Sequence, residues 1–235
     1  MGDRPARRNQ DAGRHPMHER RTLHALVTLG PTHEPVDDVR FLGNRSSGRM
    51  GVEIARALAD RGCRVGVLAG PCQPPGLASL QEVRRFRTAE ELRTLLERAW
   101  PSCDLLVMAA AVADWRPASP GRGKWRRSDG PMRLDLEPVP EILGSLRSRP
   151  DQFVVGFALE PAEDLMRSAT AKLQRKRADC IVANPLQTMD AEDIDGTLVW
   201  PDGRADSAGT LPKPAFAEWL SDRILPAALA RCGIR

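Results

Sequence analysis

Continuous apolar blocks, not alternating ones, punctuate this chain. His24–Leu29 (HALVTL), Arg64–Ala69 (RVGVLA), Asp104–Ala111 (DLLVMAAA), Phe153–Ala158 (FVVGFA) and Asp179–Ala183 (DCIVA) are each short and strongly hydrophobic. Blocks of this length read as strands buried on both faces. Gly30-Pro31 and Gly70-Pro71 stop the first two. Between the blocks the period changes. Val52, Ile54, Ala55, Leu58 and Ala59 predict a helix over 50–61, with Gly62 where a C-cap glycine belongs. Thr88-Ala89-Glu90-Glu91 is a capping box that opens a helix running to about Trp100. Amphipathic spacing predicts further helices over 162–177 and 213–230, and Pro140 opens a short one. Glu82–Arg87 alternates as an edge strand does. Thr197–Trp200 and the Pro-Asp-Gly turn after it predict a hairpin. Residues 72–77 form a loop. Residues 114–129 have no apolar period and many Arg, Gly and Pro, and are expected to be a mobile loop.

Strands that alternate with helices predict an α/β fold: a Rossmann-like, doubly wound, mostly parallel sheet with helices on both faces and a small C-terminal hairpin or flap. Such sheets bind ligands at the carboxyl ends of their strands. The loops after Leu29, Ala111 and Ala183 are therefore expected to carry the site. The 235 residues suit a single domain over 22–235. Residues 1–21 are expected to be a disordered basic tail. Through Thr22 the chain holds six Arg against two Asp and one Glu, which accounts for +3 of the net +4. With the remainder near neutral, nucleic acid is not an expected partner. No apolar run approaches the roughly 20 residues of a membrane helix, and no secretory leader pattern opens the chain. The expected location is the cytoplasm. The five cysteines are scattered, odd in number and without a C-x-x-C pair, so reduced thiols are expected and no protein-held metal.

The most informative stretch is Gly43-Asn44-Arg45-Ser46-Ser47-Gly48-Arg49-Met50-Gly51, which runs into a predicted helix. Helix-start N–H groups, two hydroxyls (Ser46, Ser47) and the flanking glycine Gly48 make an anion cradle. It is not a dinucleotide fingerprint, because G-x-G-x-x-G is missing, and that counts against an NAD(P) oxidoreductase. Asp114 follows a buried strand, where a carboxylate commonly faces a ligand. Lys172 and Lys176 share a helix face. Lys124 lies among Arg122, Arg126 and Arg127 in the irregular segment.

Read in order, THEPVDDVRFLGNRSSGRMG, AAAVADWRP, GKWRR, VVGFALE and AKLQRKRADCIVANP resemble the phosphopantothenoylcysteine synthetase family over roughly Leu23 to Leu229. The resemblance implies a two-step ligase of coenzyme A biosynthesis. The carboxylate of 4′-phosphopantothenate attacks the α-phosphate of a nucleotide, CTP in most bacteria with ATP as the alternative. The acyl-cytidylate that forms is then attacked by the amine of L-cysteine. In the family Mg²⁺ bridges the phosphates. The resemblance assigns Asn44 to the second step, Lys124 to acyl-nucleotide formation, and Arg40, Ala110, Ala111, Asp114, Phe157, Lys172 and Lys176 to nucleotide or active-site positions. It also implies a homodimer in which a flap of one subunit closes on the other's site. With only a short polar tail before the first strand, the flavin-dependent decarboxylase of the pathway is expected to be a separate chain. The sequence departs from the family where K-x-K-K reads Lys124-Trp125-Arg126-Arg127, where the turn after the first strand carries Leu29, and where Leu159 and Pro161 interrupt G-F-A-A-E-T.

Overall fold

The computed structural model describes residues 21–234. Along the chain run β1 (His24–Leu29), β2 (His33–Pro35), β3 (Phe41–Gly43), α1 (Arg49–Asp60), β4 (Arg64–Ala69), β5 (Glu82–Arg85), α2 (Ala89–Ala99), β6 (Leu105–Met108), β7 (Trp115–Pro117), β8 (Leu136–Pro138), β9 (Phe153–Glu160), α3 (Leu165–Lys176), β10 (Cys180–Pro185), β11 (Asp193–Val199), β12 (Ala205–Pro212) and α4 (Lys213–Cys232). The tail expected over 1–21 lies outside the described residues except for Arg21. That guanidinium pairs with the buried Asp104, which also accepts the His24 N–H at 2.9 Å and so fixes the start of β1.

Eight strands form one sheet in the order β12-β11-β10-β9-β6-β1-β4-β5. From β10 to β5 the pairings are parallel; β11 and β12 add antiparallel at one edge. Along β1, Ala25, Val27 and Leu29 face α1 and α4, whereas Leu26 faces α2 and α3. This two-sided burial is why the strands read as unbroken apolar blocks. Fully buried side chains such as Leu58, Leu92, Leu96 and Phe216 each contribute about 1.5–3 kcal/mol to the two cores. Chain order reverses beside β1: β4 and β5 lie to one side, β6, β9 and β10 to the other. That is the switch point at which doubly wound sheets open a ligand crevice. Among the described residues no helix is long and apolar enough to cross a membrane.

The structure departs from the sequence expectation in five places. The third core strand ends at Met108 instead of Ala111, because the next residues bond to the loop after β1. Thr28 Oγ1 accepts the Ala110 N–H at 3.1 Å, and the Ala111 N–H reaches the Gly30 carbonyl at 2.9 Å. Residues 114–129 are not wholly a loop, since Trp115–Pro117 pair antiparallel with Leu136–Pro138. Between β1 and the glycine–serine loop, where the sequence analysis assigns no element, the chain forms the β2–β3 hairpin. Around Pro140 the chain makes only a single 3₁₀ turn at Leu143–Ser145, centred on Gly144; so short a segment cannot offset the cost of nucleating an α-helix. The C-terminal hairpin is also longer than Thr197–Trp200 suggests, and it extends the central sheet.

The cysteines are free thiols. Burial pushes the Cys103 thiol up to about 11. A neutral, buried thiol of that kind behaves as a small hydrophobe.

Candidate functional site

At the carboxyl ends of β6, β9 and β10 lies a cavity of about 600 Å³, within the range of small-molecule sites. One wall is the loop Gly43–Gly51 and the start of α1. This loop is seated close against β1 because two positions lack a Cβ. A Cβ on Gly51 would lie 2.4 Å from Leu29 Cβ, and one on Gly48 would lie 2.7 Å from Cys72 Sγ. Gly48 also adopts a left-handed conformation at φ 75° and serves as the N-cap of α1 without a side-chain cap. The Arg49 N–H makes a long bond of 3.5 Å to Ser47 Oγ, and the N–H groups behind it in the first turn have no intrahelical acceptor and can meet an anion. Leu29, a departure from the small residue usual in the family, is the side chain these glycines accommodate.

The second wall is Met108–Asp114, held by two buried threonines. Thr28 Oγ1 accepts from Ala110 and donates to Met108 Sδ at 3.3 Å. Thr32 Oγ1 accepts the Ala113 N–H at 3.0 Å. Asn44 joins the two walls, its Nδ2 donating to the Val112 carbonyl at 2.8 Å. Ala110, Ala111 and Asp114 line the space, with Asp114 exposed to it.

A third side comes from β9 and α3. Phe157 offers an aromatic face, and Lys172 and Lys176 project from successive turns. Lys172 Nζ sits 2.6 Å from Glu160 Oε1, and Ser168 Oγ donates to the same oxygen at 2.9 Å. The Lys172 hydrogen bond holds the Glu160 carboxyl below its ordinary value. Burial pushes the Lys176 ammonium down, opposed by Glu141, whose Oε1 lies 3.6 Å away.

The structure thus brings Asn44, Ser46, Ser47, Gly48, Ala110, Ala111, Asp114, Phe157, Lys172 and Lys176 into one cavity. Arg40 and Lys124 are not among the residues that line it. They belong to a second construction, in which the basic loop around Lys124 is laced to the turn before β3. Asp37 is its centre. One carboxylate oxygen accepts the Val39 and Arg40 N–H groups at 2.9 and 2.7 Å, and the other accepts from Trp125 at 3.3 Å. The Arg40 guanidinium lies 3.4 Å from Asp37 and donates to the Trp125 carbonyl at 2.5 Å. Burial would raise the Asp37 carboxyl, but these N–H groups and Arg40 hold it below its ordinary value. Asp38 adds a further tie by accepting the Gly123 N–H at 2.8 Å. Lys124 itself is exposed.

Several lining residues were not foreseen. Lys213 opens α4, and Arg45, Arg49 and Asp190 stand beside it along the rim. Arg45 pairs with Asp190 at 2.6 Å, and Arg49 holds Glu192 through two bonds of 2.6 and 3.1 Å. These pairs span over 140 positions of sequence. Arg45 and Arg49 stand within the informative Gly43–Gly51 stretch without having been singled out there, and Lys213 and Asp190 carried no local signal. Among the described residues no cluster of His, Cys, Asp and Glu is suited to hold a metal ion.

Comparison with known proteins adds the following. A family model described as the DNA/pantothenate metabolism flavoprotein C-terminal domain matches residues 21–227. The coenzyme A biosynthesis bifunctional protein CoaBC of Mycolicibacterium smegmatis is 37% identical over 218 residues, covering 85% of this chain and 52% of that protein. The chain therefore spans about half the length of the curated relatives it matches. A crystal structure of the C-terminal domain of a CoaBC protein superposes with a TM-score of 0.71 at 29% identity, covering 87% of this chain and 95% of that one. The Streptococcus pneumoniae DNA/pantothenate metabolism flavoprotein shares the fold, with a TM-score of 0.77 at 23% identity over 88% of this chain and all of the other.

Proposed function

The chain belongs to the phosphopantothenoylcysteine synthetase family, the C-terminal domain of the DNA/pantothenate metabolism flavoproteins, and from that membership we propose that it is a phosphopantothenate–cysteine ligase that uses CTP. A carboxylate oxygen of 4′-phosphopantothenate attacks the α-phosphorus of CTP, and pyrophosphate leaves. The amine of L-cysteine, having lost its proton, then attacks the acyl carbon. The acyl C–O bond breaks, CMP leaves, and the amide forms. A free carboxylate is a poor electrophile, so the first step supplies the leaving group that the second needs.

The observation that carries this reading is the convergence of the Asn44 loop, the Ala110–Asp114 segment, Phe157 and two lysines on one cavity at the switch point. The helix-start N–H groups and the cations suit phosphoryl groups. The Asn44 amide, a neutral donor, suits a developing oxyanion. Magnesium has no protein cage among the described residues; in this reading it enters bound to nucleotide phosphates, as Mg²⁺ commonly does.

Arg40 and Lys124 fit a homodimer in which the basic loop of one subunit serves the cavity of the other. Supporting this, Val39, Phe41, Trp115 and Leu136 expose apolar surface on the two small hairpins beside that loop. An exposed apolar cluster of this kind is typical of an interaction site. The reaction would take place in the cytoplasm, where both substrates are small and soluble. The decisive experiment measures pyrophosphate release from CTP, and separately from ATP, with phosphopantothenate present and cysteine absent. The expected result is release with CTP and an acyl-nucleotide that cysteine converts to amide. No release with either nucleotide overturns the ligase reading.

A further inference from the structure

The cavity has two cationic ends, on opposite faces of the sheet. Lys172 and Lys176 come from α3, on the face packed by α2 and α3. Arg49 and Lys213 come from α1 and α4, which pack together on the other face. At the first end each lysine has a carboxylate partner, Glu160 or Glu141. At the second end Arg49 is engaged by Glu192.

Lys213 is different. It is 6% exposed, and its ammonium donates to the Ala191 carbonyl. Among the described residues it forms no ion pair. A buried ammonium with no carboxylate in direct contact is costly to desolvate, even with Glu192, Asp190 and Asp193 in the neighbourhood. The placement is doubly unfavourable, because Lys213 is the first residue of α4, where the helix dipole disfavours a cation. Burial accordingly pushes its ammonium down, as does the charge of Arg49, against the more distant pull of Glu192, Asp190 and Asp193. Anchoring a loop carbonyl could be done by a neutral donor, so that contact does not explain a charge here. An ammonium has three donors, and the Ala191 bond uses one. The others are free for a ligand in the cavity that Lys213 lines.

We infer that Lys213, beside Arg49, is a phosphoryl-binding residue at the end of the cavity opposite Lys172 and Lys176. The inference rests on the ligase reading and deepens it. That reaction brings two phosphorylated substrates together, the nucleotide with its triphosphate and the acid with its phosphate monoester, and the cavity offers one cationic end to each. An arriving phosphoryl group supplies the direct contact that Glu192, Asp190 and Asp193, which act on Lys213 from beyond ion-pair distance, do not make.

The test is calorimetric binding of phosphopantothenate, unphosphorylated pantothenate and CTP to the wild type, Lys213→Gln and Lys213→Arg. Glutamine keeps an N–H donor for the Ala191 carbonyl and removes only the charge. Melting temperatures are recorded alongside. Lys213→Gln is expected to weaken one phosphorylated ligand at least tenfold, to leave pantothenate binding unchanged, and to be largely rescued in Lys213→Arg. Loss confined to phosphopantothenate assigns the end to the monoester, and loss confined to CTP assigns it to the triphosphate. If Lys213→Gln binds both phosphorylated ligands as the wild type does, or weakens pantothenate equally, Lys213 only anchors the loop and the inference falls. If the wild type itself binds neither phosphorylated ligand, it is the ligase reading that fails, and the Lys213 assignment falls with it.

Discussion

The glycine–serine loop and the basic loop carry the two residues central to the proposed chemistry, Asn44 and Lys124, yet they are held in opposite ways. The first is fixed by the absence of side chains. Gly48 and Gly51 let it settle onto Leu29 and Cys72, and a hydrogen bond from the Asn44 amide to the Val112 carbonyl ties it across the cavity, with the solvent-facing Arg45–Asp190 and Arg49–Glu192 pairs at its rim. The second is fixed by a charge. The Asp37 carboxylate gathers backbone N–H groups from both sides, and Arg40 closes the arrangement. Steric fit positions a group tightly against the sheet. A carboxylate hub holds a loop by hydrogen bonds alone, an arrangement compatible with the proposed role of a segment that closes over phosphates.

The largest effects are expected where the two loops divide the reaction. Lys124→Gln should slow acyl-cytidylate formation by about 3 kcal/mol, the scale of losing one electrostatic stabiliser, with little change in substrate binding. Asn44→Asp should still release pyrophosphate and accumulate acyl-cytidylate, yet form amide about 10²–10³-fold more slowly. Aspartate also sets a carboxylate against the Val112 carbonyl, so Asn44→Ser serves as the uncharged comparison. Single-turnover mixing with labelled CTP, with and without cysteine, reads both steps. If Asn44→Asp makes no intermediate but couples supplied acyl-cytidylate normally, the division between the loops is wrong. Mixing the two inactive variants should restore part of the activity if each site draws its basic loop from the partner subunit; no recovery in mixed dimers would put both loops on one subunit.

A smaller effect is expected on the sterically fixed side. Gly51→Ala should destabilise the fold by about 1–3 kcal/mol, the usual cost of overpacking, because the new methyl has Leu29 Cβ within 2.4 Å. Thermal unfolding measures it. Because alanine would keep the Cβ, the double variant Gly51→Ala with Leu29→Gly should recover much of the loss, measured against Leu29→Gly alone. Failure to recover would mean that the backbone, not Leu29, sets the limit.

The smallest effect is on acidification. Asp37 is held below its ordinary value of 3.8, so its stabilisation is complete above that pH and is lost as pH falls through the lowered value. The carboxylates that meet the glycine–serine loop, Asp190 on Arg45 and Glu192 on Arg49, bond exposed side chains and gather no backbone N–H groups of the loop. Hydrogen exchange should therefore show the Gly123 and Trp125 amides losing protection in acid before the first turn of α1 does. Simultaneous loss would show that the basic loop opens only with global unfolding.

Much of this was legible in the chain. The five apolar blocks correspond to β1, β4, β6, β9 and β10, because burial on both faces leaves an unbroken hydrophobic run. The capping box at Thr88 was read as it stands: Thr88 Oγ1 accepts the Glu91 N–H at 3.2 Å. Ten of the twelve residues expected at the site line the cavity, and Arg40 and Lys124 do not. The β7–β8 pairing escaped because its strands are three residues long and separated by a polar insertion. Strand β6 was drawn three residues too long, since Ala109–Ala111 are as apolar as the strand itself and only the Thr28 and Gly30 bonds turn them away.

What the sequence by itself determined was the layer order, the strand ends at which a ligand would sit, and the identity of the residues around it. Each of these follows from information local to a few residues: a hydrophobic period, a glycine, a motif. Only the tertiary structure decided which charges meet. The Arg45–Asp190 and Arg49–Glu192 pairs, the hub at Asp37, and the burial of Lys213 at the mouth of α4 join segments far apart in the chain. A charge shows its role through its partner and its distance from water. Neither is written in its immediate neighbours; both appear only when the sheet brings the loops to one edge.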